Sequence, residues 1–152
     1  MDEAAAKTAF DAALANYAPG FGSFFLARLL DLRIDYPDDR CEIIFPVRDF
    51  AFNPQGSLHG GIISVILDIA QGHLIHHTYG GPGATLEMKL QYLAPVRGPS
   101  ARAEGRFLRR GRSICFTTAL LFDNGASEPA VVATSTWRAP RVEPGDTGGG
   151  QG

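Results

Sequence analysis

Gly60, Ser64, Asp68 and Gly72 recur every fourth residue within a segment that is otherwise almost wholly apolar from Ile62 to Ile75. At helical spacing these four share one slowly drifting face. The single carboxylate on it has no Lys or Arg at i±3 or i±4 to neutralise it. Burying an unpaired carboxylate is costly, so Asp68 must face a polar cavity or find a partner elsewhere. Just upstream, His59-Gly60-Gly61 opens the helix with N–H groups that have no intrahelical acceptor and lie at the positive end of its dipole. Such a terminus suits a developing oxyanion or a polarised carbonyl. An oxyanion site and a carboxylate base are the parts of an acyl-transfer or hydrolysis site; the plainer alternative is a structural Asp bonded to a neighbouring strand.

These two parts cannot serve one carbonyl within one chain. Eight residues at 1.5 Å rise put Gly60 and Asp68 about 12 Å apart. If they cooperate, Gly60 of one copy meets Asp68 of another, which an antiparallel pairing about a two-fold axis achieves twice. The spacing therefore predicts self-association as a homodimer, or a dimer of dimers.

Asn53, Gly56, Leu58-His59-Gly60-Gly61 and Asp68, nine residues after the histidine, form a spaced pattern. It resembles the signature of the hotdog-fold acyl-CoA thioesterases, in particular their phenylacetate-pathway (PaaI-like) branch. The likeness continues through Gly83-Ala84-Thr85, Asn124-Gly125 and Ala133-Thr134, and covers roughly residues 25 to 140. What it implies is hydrolysis of an aromatic or medium-chain acyl-CoA to free acid and coenzyme A, without a cofactor. By the same likeness the Gly60 N–H polarises the thioester carbonyl and His59 shapes the turn. Asp68 acts across the dimer interface as base toward water or as nucleophile. Asn53 helps to place the carbonyl or the water, and Thr85 stands where the family has a serine that orients that water. Gly61 and Ser64 border the substrate. Arg109, Arg110 and Arg112, together in one turn, are candidates for the phosphates of coenzyme A. Two other readings draw on the same parts: a hotdog enoyl-CoA hydratase or dehydratase, and a non-catalytic acyl-CoA-binding module.

The elements that must hold these residues are legible in order. Residues 3–16 favour helix, with Ala4, Ala5, Phe10, Ala13 and Leu14 as its apolar face, until Tyr17-Ala18-Pro19-Gly20 stops it. Phe21, Phe24, Phe25 and Leu26 form an aromatic patch that either lines a channel or plugs the core. Two strands are predicted over 28–36 and 40–48 around the turn Pro37-Asp38-Asp39, with Pro46 marking an edge or bulge. Beyond the central helix, Tyr79 to Gly83 ends it. Ala84, Leu86, Met88, Leu90 and Tyr92 then alternate with Thr85, Glu87, Lys89 and Gln91 as a long strand with one apolar face. Strands follow at 101–108, 113–122 and 130–138, the last after the hairpin signal Asn124-Gly125. The whole is α+β: an antiparallel sheet of about six strands wrapped around one long apolar helix, with a short N-terminal helix, as in a hotdog fold. Residues 1–140 form this single domain and 141–152 a flexible tail.

Composition sets the outer limits. At 152 residues with 45% hydrophobic content the chain supports one domain and one core. A net charge of −2 gives no basic excess for nucleic acid. No apolar run reaches the roughly 18 residues of a membrane span, and no signal peptide is visible, so a cytoplasmic protein is expected. Cys41 and Cys115 lie in alternating segments without metal-ligand spacing and read as sheet residues. His73 and His77 stand at i, i+4 beside His76, yet lack a third ligand and an acidic partner run, so no metal is expected. Neither a phosphate-cradling glycine loop nor a GxSxG elbow occurs.

Overall fold

The computed structural model describes residues 1–140; the tail predicted for 141–152 lies outside the described residues. Helix α1 runs over Glu3–Asn16, where Asp2 caps the first turn by accepting from the Ala5 N–H at 3.0 Å. Its buried face is narrower than the sequence suggests. Ala9 and Ala13 pack inward, while Phe10 and Leu14 stay about half exposed, Phe10 meeting Phe25 edge to face.

The strand predicted over 28–36 is mostly not a strand. Phe25–Leu29 is a short helix, α2, and only Arg33–Asp35, β1, joins the sheet. Ala27 and Leu30 bury at helical spacing, and Asp31 then takes a left-handed turn at φ 53° that reverses the chain. Strand β2 follows at Arg40–Pro46, with Cys41, Ile43 and Phe45 all buried. Pro46 lies beyond the last residue that β1 pairs, so its missing N–H costs no ladder bond on that side.

Helix α3 spans Gly60–Tyr79 and stops at Gly80, left-handed at φ 72°. The remaining strands are β3 (Ala84–Tyr92), β4 (Ser100–Arg109), β5 (Ile114–Asp123) and β6 (Val131–Arg138). All are antiparallel, in the order β1-β2-β4-β5-β6-β3. One row across this sheet reads Cys41, Gly105, Ala119, Ala133, Leu90. Its small middle residues form a trough, and α3 lies in it so closely that a Cβ on Gly105 would stand 3.0 Å from the Ala70 carbonyl oxygen. Ile63, Ile66, Leu67, Ala70 and Leu74 fill the core against the sheet, each large aliphatic contributing about 1.5–3 kcal/mol by its burial. Gln71, fully buried, bonds the helix to the sheet by accepting from the Thr117 hydroxyl at 2.5 Å.

The helix is largely apolar, but one chain covers only one side of it. Val65, Asp68, Ile69 and Gly72 on the far side are only partly buried.

Candidate active site

The loop before α3 is built around one side chain. Asn53 Oδ1 accepts from the N–H groups of Gln55 (2.9 Å) and Ser57 (3.2 Å), and its Nδ2 donates to Ser57 Oγ at 2.9 Å. Gly56 completes the turn at φ 73°. His59 caps the helix, its Nδ1 accepting from the Gly61 N–H at 2.9 Å. Of the two glycine donors anticipated at this terminus, Gly61's is thus taken by the cap. The Gly60 N–H has no acceptor among the described residues. The ring of Tyr92 lies over Gly60, 3.3 Å from where a Cβ would stand. Tyr92 and Ser64 hydroxyls both come within 2.9 Å of the Gly60 carbonyl oxygen and within 3.0 Å of each other. Asn53, Gly60, Gly61 and Tyr92 line a pocket of about 520 Å³.

Asp68 opens into a different pocket, of about 510 Å³, walled by Phe21, Phe24, Ile69, Gly72 and Trp137. Its Oδ1 accepts from the Thr85 hydroxyl at 2.8 Å. Strict alternation along β3 would have pointed Thr85 away from the helix. The pairing of β3 with β6 shifts register between Thr85 and Glu87, leaving Leu86 as an unpaired extra residue, 55% exposed. Thr85 therefore pairs with inward-facing Trp137, and Met88 with inward-facing Ser135. The face predicted to carry Ala84 and Leu86 is corrected accordingly: the bulge inverts the phase, so Thr85 shares the helix side with Met88 and Leu90.

The histidines of α3 are packing partners. Phe21 stacks on His76 with centroids 4.0 Å apart, and Tyr36 stacks on His77 at 4.1 Å. His73 is 4% exposed, and its Nδ1 lies 2.7 Å from the Tyr36 hydroxyl. Burial, and secondarily the charge of His76, pushes the His73 pKa down to about 4. No group of three or more His, Cys, Asp or Glu placed to hold a metal occurs among the described residues. Cys41 and Cys115 are free and buried, and burial with the nearby Asp35 and Glu42 charges raises the Cys41 thiol to about 12. Arg109, Arg110 and Arg112 stand exposed at the β4–β5 turn and line neither pocket; Arg110 lies over the Tyr79 and Phe107 rings.

Among the residues singled out from sequence, Asn53, His59, Gly60, Gly61 and Ser64 gather at the start of α3, and Asp68 and Thr85 gather two turns on. No residue lines both pockets. Tyr92 and Trp137 were not anticipated. Each comes from a distant strand, and nothing in its local sequence marks it for the site.

The thioesterase superfamily model matches residues 55–130, half of the chain, and so takes in α3 with both Gly60 and Asp68. The chain belongs to the thioesterase superfamily. Among curated proteins, acyl-coenzyme A thioesterase 13 of Homo sapiens is 29% identical over 68 residues, 43% of this chain and 49% of the relative. The chain thus spans about half the length of the curated relatives it matches. A phenylacetic acid degradation-related protein of Ralstonia eutropha JMP134 is 27% identical in structure-based alignment, covering 86% of this chain and 99% of that one with a TM-score of 0.70. The BH2602 protein of Bacillus halodurans, solved with CoA, shares the fold at a TM-score of 0.79 and 23% identity, over 93% of this chain and 95% of that one. The six-stranded antiparallel sheet around α3 is the hotdog fold of these structural neighbours.

Proposed function

We propose that this superfamily member is an acyl-CoA thioesterase whose active sites form between two copies of the chain. The observation that carries this reading is the division of the parts. A free N–H at Gly60 lies in one pocket, and a carboxylate held by Thr85 lies in another, about 12 Å along the same helix. Two antiparallel copies of α3 would bring each N–H to the other copy's carboxylate. The surfaces suit such pairing: Val65 and Ile69 are only partly covered, and the nine-residue β3 forms an open edge of the sheet.

In this arrangement the thioester oxygen accepts from Gly60, and the acyl group lies toward Phe21, Phe24 and Trp137. A cavity of about 150 Å³ already admits a benzene ring, so the 510 Å³ pocket has room for an aromatic or medium-chain acyl group. Asp68 either takes a proton from water, positioned with the help of Thr85, or attacks the carbonyl itself and is freed by water afterwards. Either route breaks the C–S bond, places the water oxygen in the acid and returns a proton to the thiolate of coenzyme A. Asn53 acts through the loop it organises, since both ends of its amide are engaged there. Arg109, Arg110 and Arg112 are assigned to the phosphates of coenzyme A as a solvent-facing cluster. A hydratase would draw on a catalytic imidazole near Gly60; His59 Nδ1 is engaged by the Gly61 N–H while its Nε2 has no partner among the described residues, so the two readings are separated by what the enzyme releases.

Thiol release from a panel of acyl-CoAs separates hydrolysis from hydration and from binding alone. Subunit mixing then tests the shared site. Gly60→Pro removes the N–H at the first helical position, where proline costs no intrahelical bond and needs only the exposed Tyr92 side chain to shift, and Asp68→Asn removes the base. Each homodimer should be nearly inactive, whereas random exchange should restore about a quarter of wild-type activity. No recovery, with exchange demonstrated and both variants folded, would rule out the cross-chain site.

A further inference from the structure

Two residues, Phe21 and His73, line the Asp68 pocket and also a second cavity behind it. That second cavity, about 340 Å³, is walled further by Ser23, Arg28, Ile34 and Tyr36. The two rings meet edge to face with centroids 5.2 Å apart. They stand as a partition between the chambers. One leaf is fixed: His73 is buried on α3, with the Tyr36 hydroxyl 2.7 Å from its Nδ1. The other leaf is not part of any regular element. Phe21 sits at the tip of a loop that closes on itself, Ala18 N–H donating to Ser23 O at 2.8 Å and Ser23 N–H to Gly20 O at 3.1 Å. It is 48% exposed and flanked by Gly20 and by Gly22 at φ 80°. What holds its ring in place is the face of His76.

The geometry points to Phe21 as the residue that sets the length of the acyl group. With Phe21 against His73 the chain ends in the first cavity; without that ring the first cavity opens into the second, where Leu32 and Ile34 give the tail of a longer acyl group an apolar wall. This assignment rests on the thioesterase reading, because it takes the Asp68 pocket as the acyl pocket. Nothing about catalysis is asked of Phe21: it acts only by contact with the far end of the acyl chain.

The experiment is a chain-length profile with straight-chain acyl-CoAs from butanoyl to palmitoyl, on the wild type, Phe21→Ala, Phe21→Trp and a control, Ile44→Ala, on the outer sheet surface. In the wild type kcat/KM should fall beyond medium length. Phe21→Ala should raise the ratio for myristoyl-CoA over hexanoyl-CoA by about tenfold or more, the scale on which an apolar pocket discriminates added methylenes. Phe21→Trp should lower the same ratio, and Ile44→Ala should leave it unchanged. A uniform loss over all lengths in Phe21→Ala, or a wild type that already takes palmitoyl-CoA as well as hexanoyl-CoA, overturns the partition while the thioesterase reading stands. If the wild type hydrolyses no acyl-CoA, that reading fails instead. The partition is then judged by calorimetric titration with fatty acids of the same lengths: tighter binding of only the longer acids in Phe21→Ala supports it, and identical profiles overturn it.

Discussion

The Thr85 hydroxyl donates to Asp68 Oδ1 across 2.8 Å, from a position that reaches the helix only because Leu86 is an extra residue in the strand. The donor is therefore placed by one bulge and the carboxylate by the helix. Asp68→Asn is nearly isosteric and should keep the fold while lowering kcat by about 10²–10⁴, the usual worth of a general base. Thr85→Ser should stay near wild type, whereas Thr85→Val should lower kcat about tenfold to a hundredfold, the scale of one hydrogen bond to a charged group. Circular dichroism alongside the kinetics distinguishes this from unfolding, which would make Asp68 structural.

Gly105 is where sheet and helix come closest. Gly105→Ala puts a methyl group 3.0 Å from the Ala70 carbonyl, against backbone that cannot swing aside. Overpacking of this kind should destabilise the protein by about 1–3 kcal/mol, read as a lower urea midpoint with an unchanged slope.

The buried His73 links stability to pH. Its pKa is lowered on folding, to about 4 from an ordinary value near 6.5, so the unfolded chain binds the proton more tightly. Its contribution is complete above about pH 6.5 and is lost as pH falls toward 4, on the order of 3 kcal/mol in all. Tyr36 and His76 are the groups that face or influence it. Urea midpoints measured across this window should fall in the wild type, and His73→Gln should flatten that part of the curve.

Asp123 behaves in a lower window. Burial works against its charge, but the backbone N–H groups of Arg97, Asn124 and Gly98, with the Arg97 charge, outweigh it and hold its carboxyl below the usual range. Its folded-state pKa is depressed, so its stabilisation is present above the ordinary carboxylate value and is lost as pH falls through the folded one. Asp123→Asn should cost about 1–2 kcal/mol at neutral pH and narrow its gap to wild type on acidification, by thermal melting.

Local physics explains which parts of this were readable in advance. The limits of α1, the glycine that ends α3 and the alternation of Cys41, Ile43 and Phe45 all follow from neighbours in sequence, and each is found in the structure. The five residues of α2 were missed because so short a helix depends on packing against α1, through Phe10 and Tyr17 on Phe25. The bulge at Leu86 was missed because alternation looks unbroken in sequence, and only pairing with β6 shows that one residue is skipped. The pattern around His59 to Asp68 marked the site, yet Tyr92 over Gly60 and Trp137 against Gly72 depend on strands brought in from far along the chain.

The sheet order carries a consequence for how the protein is made. Strand β3 leaves the ribosome directly after the helix, but its partner in the sheet is β6, the last strand among the described residues. Thr85 cannot settle opposite Asp68 until Trp137 has been synthesised and paired beside it. During translation the helix and the earlier strands wait with one flank open, and such non-local closure is intrinsically slow. A nascent chain stalled before residue 131 would hold the Asp68 carboxylate and lack the sheet neighbour that positions its hydroxyl donor.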